Sequence, residues 1–365
     1  MVSDRRPSRR VIAVAIAFAA ALAGTACKII SPVRTVDIHV PSRDADADTV
    51  DGSVVPPDSS MPSGPLGAAL RRGRALLEHT PESLPRYVGS NLRCESCHLD
   101  GGRRPDVLPL LGAFARYPRF AERTGAVVTI EDRVNYCLTR SLTGRRLPPS
   151  SREMEDIVSY LAYLSTGVPA GAHVRGEGIP RLPRLTGDPD RGSPLFVANC
   201  ARCHGAAGQG AQVPRTGSAT PPRLAPALWG ARSFSIGAGL ARIERLAAFI
   251  RLAMPYDRPG TLSDQDAFDL AAYILAHPRP DLPGKSRDWP GGNAPADVPY
   301  ATRGHAGLSP PPLIRRAGDT AAMMVPAPEP AERAVPRTPP YGSRGRTSGS
   351  VHVRRAAGDM RRSRV

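Results

Sequence analysis

The amino-acid sequence predicts an all-α fold made of two small helical domains that follow one another along the chain. The motif Cys-x-x-Cys-His occurs at residues 94–98 and again at residues 200–204. Each copy comes after a short segment with apolar residues at helical spacing. Each is also followed, beyond a stretch of loops, by an amphipathic segment that opens on a capping serine. The 365 residues are enough for two or three domains of this size.

The duplicated motif carries the chemistry. Cys-x-x-Cys-His is the attachment signature of c-type haem: its two thiols bind the porphyrin covalently and its histidine becomes the proximal iron ligand. The alternative is a redox or zinc Cys-x-x-Cys site beside a chance histidine, and the second copy disfavours it. The sequence therefore predicts a cytochrome with two covalently bound haem c groups. The residues assigned to attachment and proximal ligation are Cys94, Cys97, His98, Cys200, Cys203 and His204.

Composition and charge agree with such a protein. Aromatic residues make up only 5% of the chain, and a porphyrin at the centre of each domain supplies apolar core that the side chains lack. The net charge of +16 is concentrated in an arginine-rich tail after residue 300 and in the first 26 residues. The central body is only mildly basic, which suits a small anionic substrate or an acidic redox partner and argues against nucleic acid.

The N-terminus is predicted to direct export. Four arginines precede a stretch of 13 apolar residues, 11–23, which is shorter than the roughly 20 residues of a membrane span. Residues 1–26 are therefore interpreted as a signal peptide and residues 27–64 as a disordered tether. Two alternatives stay open at Cys27: lipid anchoring, or plain cleavage after Ala26. The expected location is periplasmic, either soluble or tethered to a membrane through Cys27.

The first domain is predicted for residues 65–167. Its closing helix is expected to begin at Ser150, with Glu153 completing a capping box, and to end at Gly167. The face of its opening helix is formed by Leu66, Leu70, Gly73 and Leu77. The apolar stripe of the closing helix is formed by Met154, Ile157, Val158, Leu161 and Leu164.

The second domain, residues 188–285, repeats this plan after a linker of residues 168–187. Its closing helix is expected to start at Ser263, with Asp266 in the capping box and Phe268, Ala271, Ala272 and Leu275 on the buried face. Gly73 and Gly192 occupy matching places in the two opening helices, where glycine allows a close helix crossing. Tyr160 and Tyr273 are candidates to pack across the crossings, or else are ordinary core tyrosines. Residues 286–365 are predicted to be an irregular to disordered basic tail.

Each haem iron needs a sixth ligand or an open position. Met254, followed by Pro255, is the candidate in the second domain, and a thioether raises the reduction potential; the alternative is ordinary core packing. The first domain has no methionine at the equivalent place. The candidate there is Cys137, a cysteine beside arginines that favour its thiolate, and the alternative is a small buried hydrophobe.

The residues around Cys137 belong to a longer pattern: Arg133, Asn135, Cys137, Arg140, Ser141 and Gly144. After a Cys-x-x-Cys-His motif, this pattern strongly resembles the dihaem thiosulfate dehydrogenases. Segments 228–230, 237–239, 249–250, 254–255, 262–265 and 277–283 also agree with that family. The resemblance covers roughly residues 66–300. It implies two class I cytochrome c folds and the oxidation of two thiosulfates to tetrathionate. Two electrons leave for an external acceptor such as a small c-type cytochrome, and some relatives run the reverse reaction.

The resemblance also implies roles for individual residues. Cys137 becomes the ligand of the active haem, Arg123 and Arg133 hold the anionic substrate, and Ser141 lies beside them. For each arginine the alternative is a surface or haem-propionate contact. One departure is Ala253, since many relatives have lysine directly before the distal methionine. The alternative function is a non-catalytic electron-transfer cytochrome; a dihaem peroxidase is disfavoured because it needs an open iron.

Overall fold

A computed structural model describes residues 49–50, 56–213, 223–308 and 313–314. The chain divides into two compact units, Met1–Val50 and Asp51–Val365. Both Cys-x-x-Cys-His motifs lie in the second unit, and within the first the structure describes one short strand, Thr49–Val50 (β1). The predicted signal peptide, Cys27, most of the tether and most of the basic tail lie outside the described residues. Across the described ranges, no helix is both long and apolar enough to cross a bilayer.

The first half of the second unit is mainly helical. A π-helical turn, Cys137–Ser141, directly follows the fourth of its helices. The helices are α1 (Gly64–Glu78), α2 (Thr80–Ser83), α3 (Leu99–Gly102), α4 (Ile130–Tyr136) and α5 (Arg152–Tyr163). Two strands form an antiparallel hairpin between α3 and α4: β2 (Arg119–Ala121) and β3 (Ala126–Val128). Short 3-10 helices lie at Asp58–Ser60, Cys94–Ser96 and Phe114–Arg116.

The second half repeats the helical order. It contains the strand β4 (His173–Val174), the helices α6 (Pro189–Asn199), α7 (Ala201–His204), α8 (Ile243–Ala253) and α9 (Asp264–Leu275), and 3-10 helices at Gly239–Ala241 and Lys285–Arg287. Two further strand pairs are present: β5 (Ala211–Val213) with β6 (Arg223–Ala225), antiparallel, and β7 (Arg279–Pro280) with β8 (Leu313–Ile314), parallel. The all-α prediction is therefore corrected to a mainly helical fold with short strand pairs in its loops.

The two predicted helix crossings are confirmed. A Cβ added at Gly73 would clash with the backbone carbonyl of Asp156 and lie 2.8 Å from the Cβ of Tyr160. A Cβ added at Gly192 would meet the equivalent carbonyl of α9 and lie 2.7 Å from the Cβ of Tyr273. Glycine is required in both opening helices because any side chain would push α1 away from α5 and α6 away from α9.

A salt bridge repeats beside each crossing. Arg72, directly before the first crossing glycine, pairs with Asp156 through Nε and Nη2 at 2.7 and 2.6 Å. Arg191, directly before the second, pairs with Asp269 at 2.9 and 3.0 Å. Both aspartates are buried, and both arginines lie partly in solvent. The repeat thus extends from the haem motifs to the polar contacts that fix the helix pairs.

Two details of the helices differ from the sequence prediction. Ser151, not Ser150, caps α5, accepting from the Met154 amide at 3.3 Å. The turn that begins at Pro148 closes on the Ser151 amide and moves the helix start by one residue. Leu66 is 59% exposed because the first turn of α1 extends beyond α5. The Ser263 capping box of α9 is confirmed.

The segment after α9 contributes a core of its own. Residues 286–308 have little regular structure, as predicted, but Trp289, Val298 and Tyr300 are buried together with Ile236 and Leu282. Isolated apolar residues without periodicity give no helix or strand signal in the sequence. A larger apolar cluster centres on Phe196, α8 and α9, and it includes Leu99 and Val107 from the first domain.

Candidate active site

The two proximal histidines are held identically. Nδ1 of His98 lies 2.6 Å from the Leu108 carbonyl oxygen, and Nδ1 of His204 lies 2.8 Å from that of Pro226. A ring nitrogen that faces a carbonyl carries the proton, which leaves Nε2 of each ring as the free lone pair. Both imidazoles are therefore oriented and in the right tautomer to ligate iron.

The four motif thiols are free and half-buried. Burial raises the pKa of Cys94 and Cys97 to about 12 and that of Cys200 to about 11. A structural zinc site takes four Cys or His ligands, and among the described residues no group of three or more His, Cys, Asp or Glu side chains could hold a metal ion. The motifs therefore fit haem attachment better than a zinc site.

Buried cations near both motifs also fit a haem. Arg279 is fully buried, donates from Nη2 to the Ile274 carbonyl at 2.7 Å and lies over the Phe234 ring. Its Nε and Nη1 have no partner among the described residues, and burial lowers its pKa to about 9. Arg103, five residues after His98, has two unpartnered buried nitrogens as well. Donors of this kind fit the carboxylates of haem propionates, and the residues present fit two haem c groups.

Cys137 lies opposite the first proximal histidine. It follows α4, which Thr129 caps through the Asp132 amide at 3.2 Å, and it opens the π-helical turn. Its Sγ accepts a hydrogen bond from Nη1 of Arg133 at 3.0 Å, one helical turn earlier, and the His98 side chain is its second partner. The thiol and the imidazole therefore face each other, and together they would hold the iron of a haem bound at the first motif.

The environment of Cys137 favours the thiolate. Burial by itself raises the pKa of this thiol, but the charge of Arg133 and the contact with His98 bring it down to about 6. Arg133 is half-buried, and the charge of the Cys137 thiolate raises its pKa above the ordinary value. A thiolate held between a guanidinium and the haem face can act as an iron ligand and as a nucleophile.

Arg123 and Arg140 are both paired with one carboxylate. Arg140 donates from both Nη atoms to Asp288 at 2.6 Å, and Arg123 donates from Nε to the same carboxylate at 2.9 Å. Arg123 Nη2 also donates to the Tyr300 hydroxyl at 2.6 Å, and its guanidinium lies 4.9 Å from the Trp289 ring centroid. The sequence pointed to Arg123 as a substrate contact; in the structure Arg123 and Arg140 anchor the first domain to the segment after α9.

Ser141 ends the π-helical turn that Cys137 begins, so the two side chains are one turn apart. Ser141 is half-buried. Its neighbour Arg140 accepts, through its carbonyl, a hydrogen bond from the Ser235 hydroxyl of the second domain. The turn that carries Cys137 is therefore bound from the other domain on its C-terminal side.

Sequence reasoning missed Asp288 and Arg245. Arg245 lies on α8, and its Nε is buried without a partner among the described residues. Burial lowers its pKa to about 10, and the charges of Arg242, Arg133 and Arg123 act in the same direction. The sequence carries no signal for Arg245, because it stands beside Arg242 and Glu244 at the start of an ordinary amphipathic helix.

Met254 follows α8 directly, and its amide donates to the Ile250 carbonyl at 3.0 Å. Its half-buried side chain packs on the apolar cluster that Phe196 and Trp229 share with Cys200 of the second motif. This position beside the attachment site fits a sixth ligand for the second iron. The cluster also contacts Cys97 of the first motif.

Comparisons with known proteins agree with this geometry. Residues 88–170 match the family model described as "SoxA/TsdA, cytochrome c domain", and residues 187–274 match "Cytochrome C oxidase, cbb3-type, subunit III". A thiosulfate dehydrogenase of Psychrobacter arcticus is 40% identical over 245 residues, covering 67% of this chain and 73% of that protein. One from Allochromatium vinosum is 42% identical, covering 62% and 84%.

A solved structure shows the same fold. The thiosulfate dehydrogenase TsdBA from Marichromatium purpuratum, in its "as isolated" form, aligns with a TM-score of 0.56 and 35% identity. The alignment covers 62% of this chain and 49% of that one, so this chain spans about half the length of the solved protein. Fold and motifs define a tandem cytochrome c with two covalent haem c groups. The chain belongs to the thiosulfate dehydrogenase family.

Proposed function

We propose that this protein oxidises two thiosulfate dianions to one tetrathionate dianion at its first haem, next to Cys137, and passes the two electrons on through its second haem. One observation carries the proposal: the Cys137 thiolate is held between Arg133 and the proximal His98. Neither a pure electron carrier nor a structural cysteine needs a guanidinium at 3.0 Å from the sulfur.

Cys137 provides the covalent route. Its thiolate forms a bond to the outer sulfur of a first thiosulfate with loss of two electrons, which leaves a cysteine S-thiosulfonate. The outer sulfur of a second thiosulfate then attacks that same sulfur, the bond to Cys137 breaks, and tetrathionate leaves as the thiolate is restored. Atoms and charge balance with two thiosulfates consumed, two electrons released and no proton moved. The same steps run backwards reduce tetrathionate.

The arginines offset charge repulsion. Two dianions must approach each other and a thiolate, and fixed positive charge in a partly buried site lowers that barrier. Arg133 contacts the reacting sulfur directly. Arg123 adds positive potential nearby while Asp288 and Tyr300 hold its position, and Ser141 supplies a hydroxyl one turn from Cys137.

Two haems suit a two-electron reaction. Each haem c, when bound, accepts one electron, so the pair holds the electrons of one turnover. Cys137 as a thiolate ligand lowers the potential of the first iron and Met254 raises that of the second, which gives the transfer a direction. The apolar cluster that contacts both Cys97 and Cys200 supports a short path between the two haem groups.

The remaining assignments belong to the same proposal. The protein acts in the periplasm, where covalent haem is attached, and its N-terminus is set at Cys27, lipidated or cleaved. Residues 65–167 form the domain of the active haem, 168–187 the linker and 188–285 the electron-transfer domain. A small c-type cytochrome collects the electrons.

A stoichiometric assay tests the function. Purified holoprotein, thiosulfate and ferricyanide should give tetrathionate with two ferricyanide reduced per product, as the electron balance requires. A protein whose haems cycle with ferricyanide but that forms no tetrathionate would be the alternative, an electron-transfer cytochrome.

A further inference from the structure

Arg245 is half-buried, and one of its guanidinium nitrogens has no hydrogen-bond partner among the described residues. It lies in the first turn of α8, and the nitrogen in question, Nε, is shielded from solvent. An unpartnered buried donor is costly, and a charged one more so. Natural proteins keep such a group where a ligand completes its hydrogen bonds.

The carboxylates nearby are already engaged. Asp297 is a negative charge that acts on Arg245, but it pairs with Arg242 at 2.6 Å and accepts from the Glu244 amide at 3.2 Å. Asp288 is shared between Arg123 and Arg140. No carboxylate in this part of the described structure is left over for Arg245.

The cluster as a whole carries surplus positive charge. Its five guanidinium groups outnumber its two carboxylates, so the cluster favours an anionic ligand. The cations are Arg123, Arg133, Arg140, Arg242 and Arg245; the carboxylates are Asp288 and Asp297.

We infer that Arg245 is a substrate-binding residue whose Nε–H donates to a sulfonate oxygen of the thiosulfate beside Cys137. The inference rests on the proposed function and extends the substrate site to the second domain. A Cβ added at Gly239 would lie 3.7 Å from the Arg245 Nε, and Arg123 donates to the Gly237 carbonyl, two residues earlier, at 2.7 Å. Arg245 therefore lies beside the segment that holds Arg123, and for this reason a substrate sulfonate, not a haem propionate, is its ligand. The site is then complete only when both domains are in place.

Binding can be measured without turnover. Holoprotein reduced with titanium(III) citrate and desalted under argon cannot oxidise thiosulfate, so calorimetric titration with thiosulfate reports the dissociation constant alone. Arg245→Gln should weaken binding by about tenfold to a hundredfold, the size expected for one hydrogen bond between charged groups. Arg245→Lys keeps the charge but not the Nε–H, so its dissociation constant for thiosulfate should lie between those of the wild type and Arg245→Gln.

Arg251→Gln is the matched control. Arg251 lies on the same helix and carries the same charge, but Asp264 at 3.0 Å and the Gly260 carbonyl at 2.7 Å already satisfy it. Arg251→Gln should therefore bind thiosulfate with the dissociation constant of the wild type. All variants should keep two haems per chain and unchanged haem spectra, which excludes misfolding as the cause.

Steady-state oxidation with ferricyanide separates the outcomes. The inference predicts a raised KM in Arg245→Gln. If the wild type turns over thiosulfate and Arg245→Gln keeps both its KM and its dissociation constant, the inference is wrong and the function stands. A shifted haem midpoint potential with unchanged thiosulfate binding would assign Arg245 to a propionate and also overturn it. If the wild type forms no tetrathionate, the proposed function itself fails.

Discussion

Cys137 differs from the haem-attachment cysteines in the charge that surrounds it. Burial raises the pKa of Cys94, Cys97 and Cys200, and little near them opposes this effect. Burial acts on Cys137 as well, but Arg133 and His98 reverse its effect. The surroundings of Cys137 thereby favour its thiolate, and the charge that does so comes from Arg133, one helical turn away.

We assign Met254 as the sixth ligand of the second haem iron. Met254→Leu should abolish the weak near-infrared band that methionine ligation gives to oxidised cytochromes c, because leucine has similar volume but no sulfur. Near-infrared absorption of the oxidised protein is the measurement. Met154→Leu is the control, since Met154 is fully buried in the core of the first domain and its loss should leave the band intact. A band that survives Met254→Leu rejects the assignment.

At the scale of elements, two helix pairs and one carboxylate position the site. Crossing glycines bring α1 onto α5 and α6 onto α9, and each pair carries its own arginine–aspartate bridge. The segment after α9 then reaches the first domain through Asp288, which is 2% exposed. One helix pair stabilises each haem domain. The Asp288 carboxylate connects Arg123 and Arg140 of the first domain to the segment after α9.

The second crossing should tolerate no side chain. Gly192→Ala should destabilise the protein by about 1–3 kcal/mol, because the new methyl group meets the α9 backbone and must be accommodated by overpacking. Thermal unfolding of the holoprotein, followed by circular dichroism, measures the loss. Gly291→Ala is the control: its added Cβ would meet only Asn293, at 3.4 Å, and the unfolding midpoint should hardly move. Equal midpoints for both variants would contradict the close crossing.

Asp288 should link stability to pH. Burial alone raises its pKa, but Arg140, Arg123 and the Tyr300 hydroxyl lower it below the ordinary value of 3.8. A carboxyl with a depressed pKa in the folded state stabilises the fold above its unfolded-state pKa, and that contribution is lost as the pH falls. Unfolding midpoints should therefore fall as the pH is lowered below about 4, and Asp288→Asn should remove part of this dependence.

Asp288→Asn should also lower the free energy of unfolding at neutral pH. Asp288→Asn leaves two partly buried guanidinium groups without a countercharge, and breaking such a pair costs about 3–5 kcal/mol. Urea unfolding at pH 7 measures this loss of stability. Asp257→Asn is the control, because its pair with Arg202 lies in solvent, and it should unfold like the wild type. Asp288→Asn with wild-type stability would show that the carboxylate does not anchor the two domains.

Across the molecule, the sequence predicted the features that depend on residues close together in the chain. It missed the contacts between residues that are far apart in the chain. The haem motifs, the crossing glycines and the Arg133–Cys137 pair are encoded within a few residues, by covalent chemistry or by helical spacing. Asp288 and Arg123 are 165 residues apart, and nothing in the irregular segment around Asp288 signals that it folds onto the first domain. Arg245 belongs to an ordinary amphipathic helix until the fold places it near Arg133. The strand pairs were missed because two- or three-residue strands in loops have no periodicity to detect.

Cys137→Met separates bond formation by the Cys137 sulfur from iron ligation. Methionine can ligate the first iron but cannot form an S-thiosulfonate, so the variant keeps a sixth ligand and loses the covalent route. Tetrathionate formation from thiosulfate with ferricyanide is the measurement, at two haems per chain. We expect the rate to fall by about a thousandfold or more, as for the loss of a nucleophile. A near-normal rate in Cys137→Met would contradict the covalent route and reduce Cys137 to a ligand that sets the haem potential.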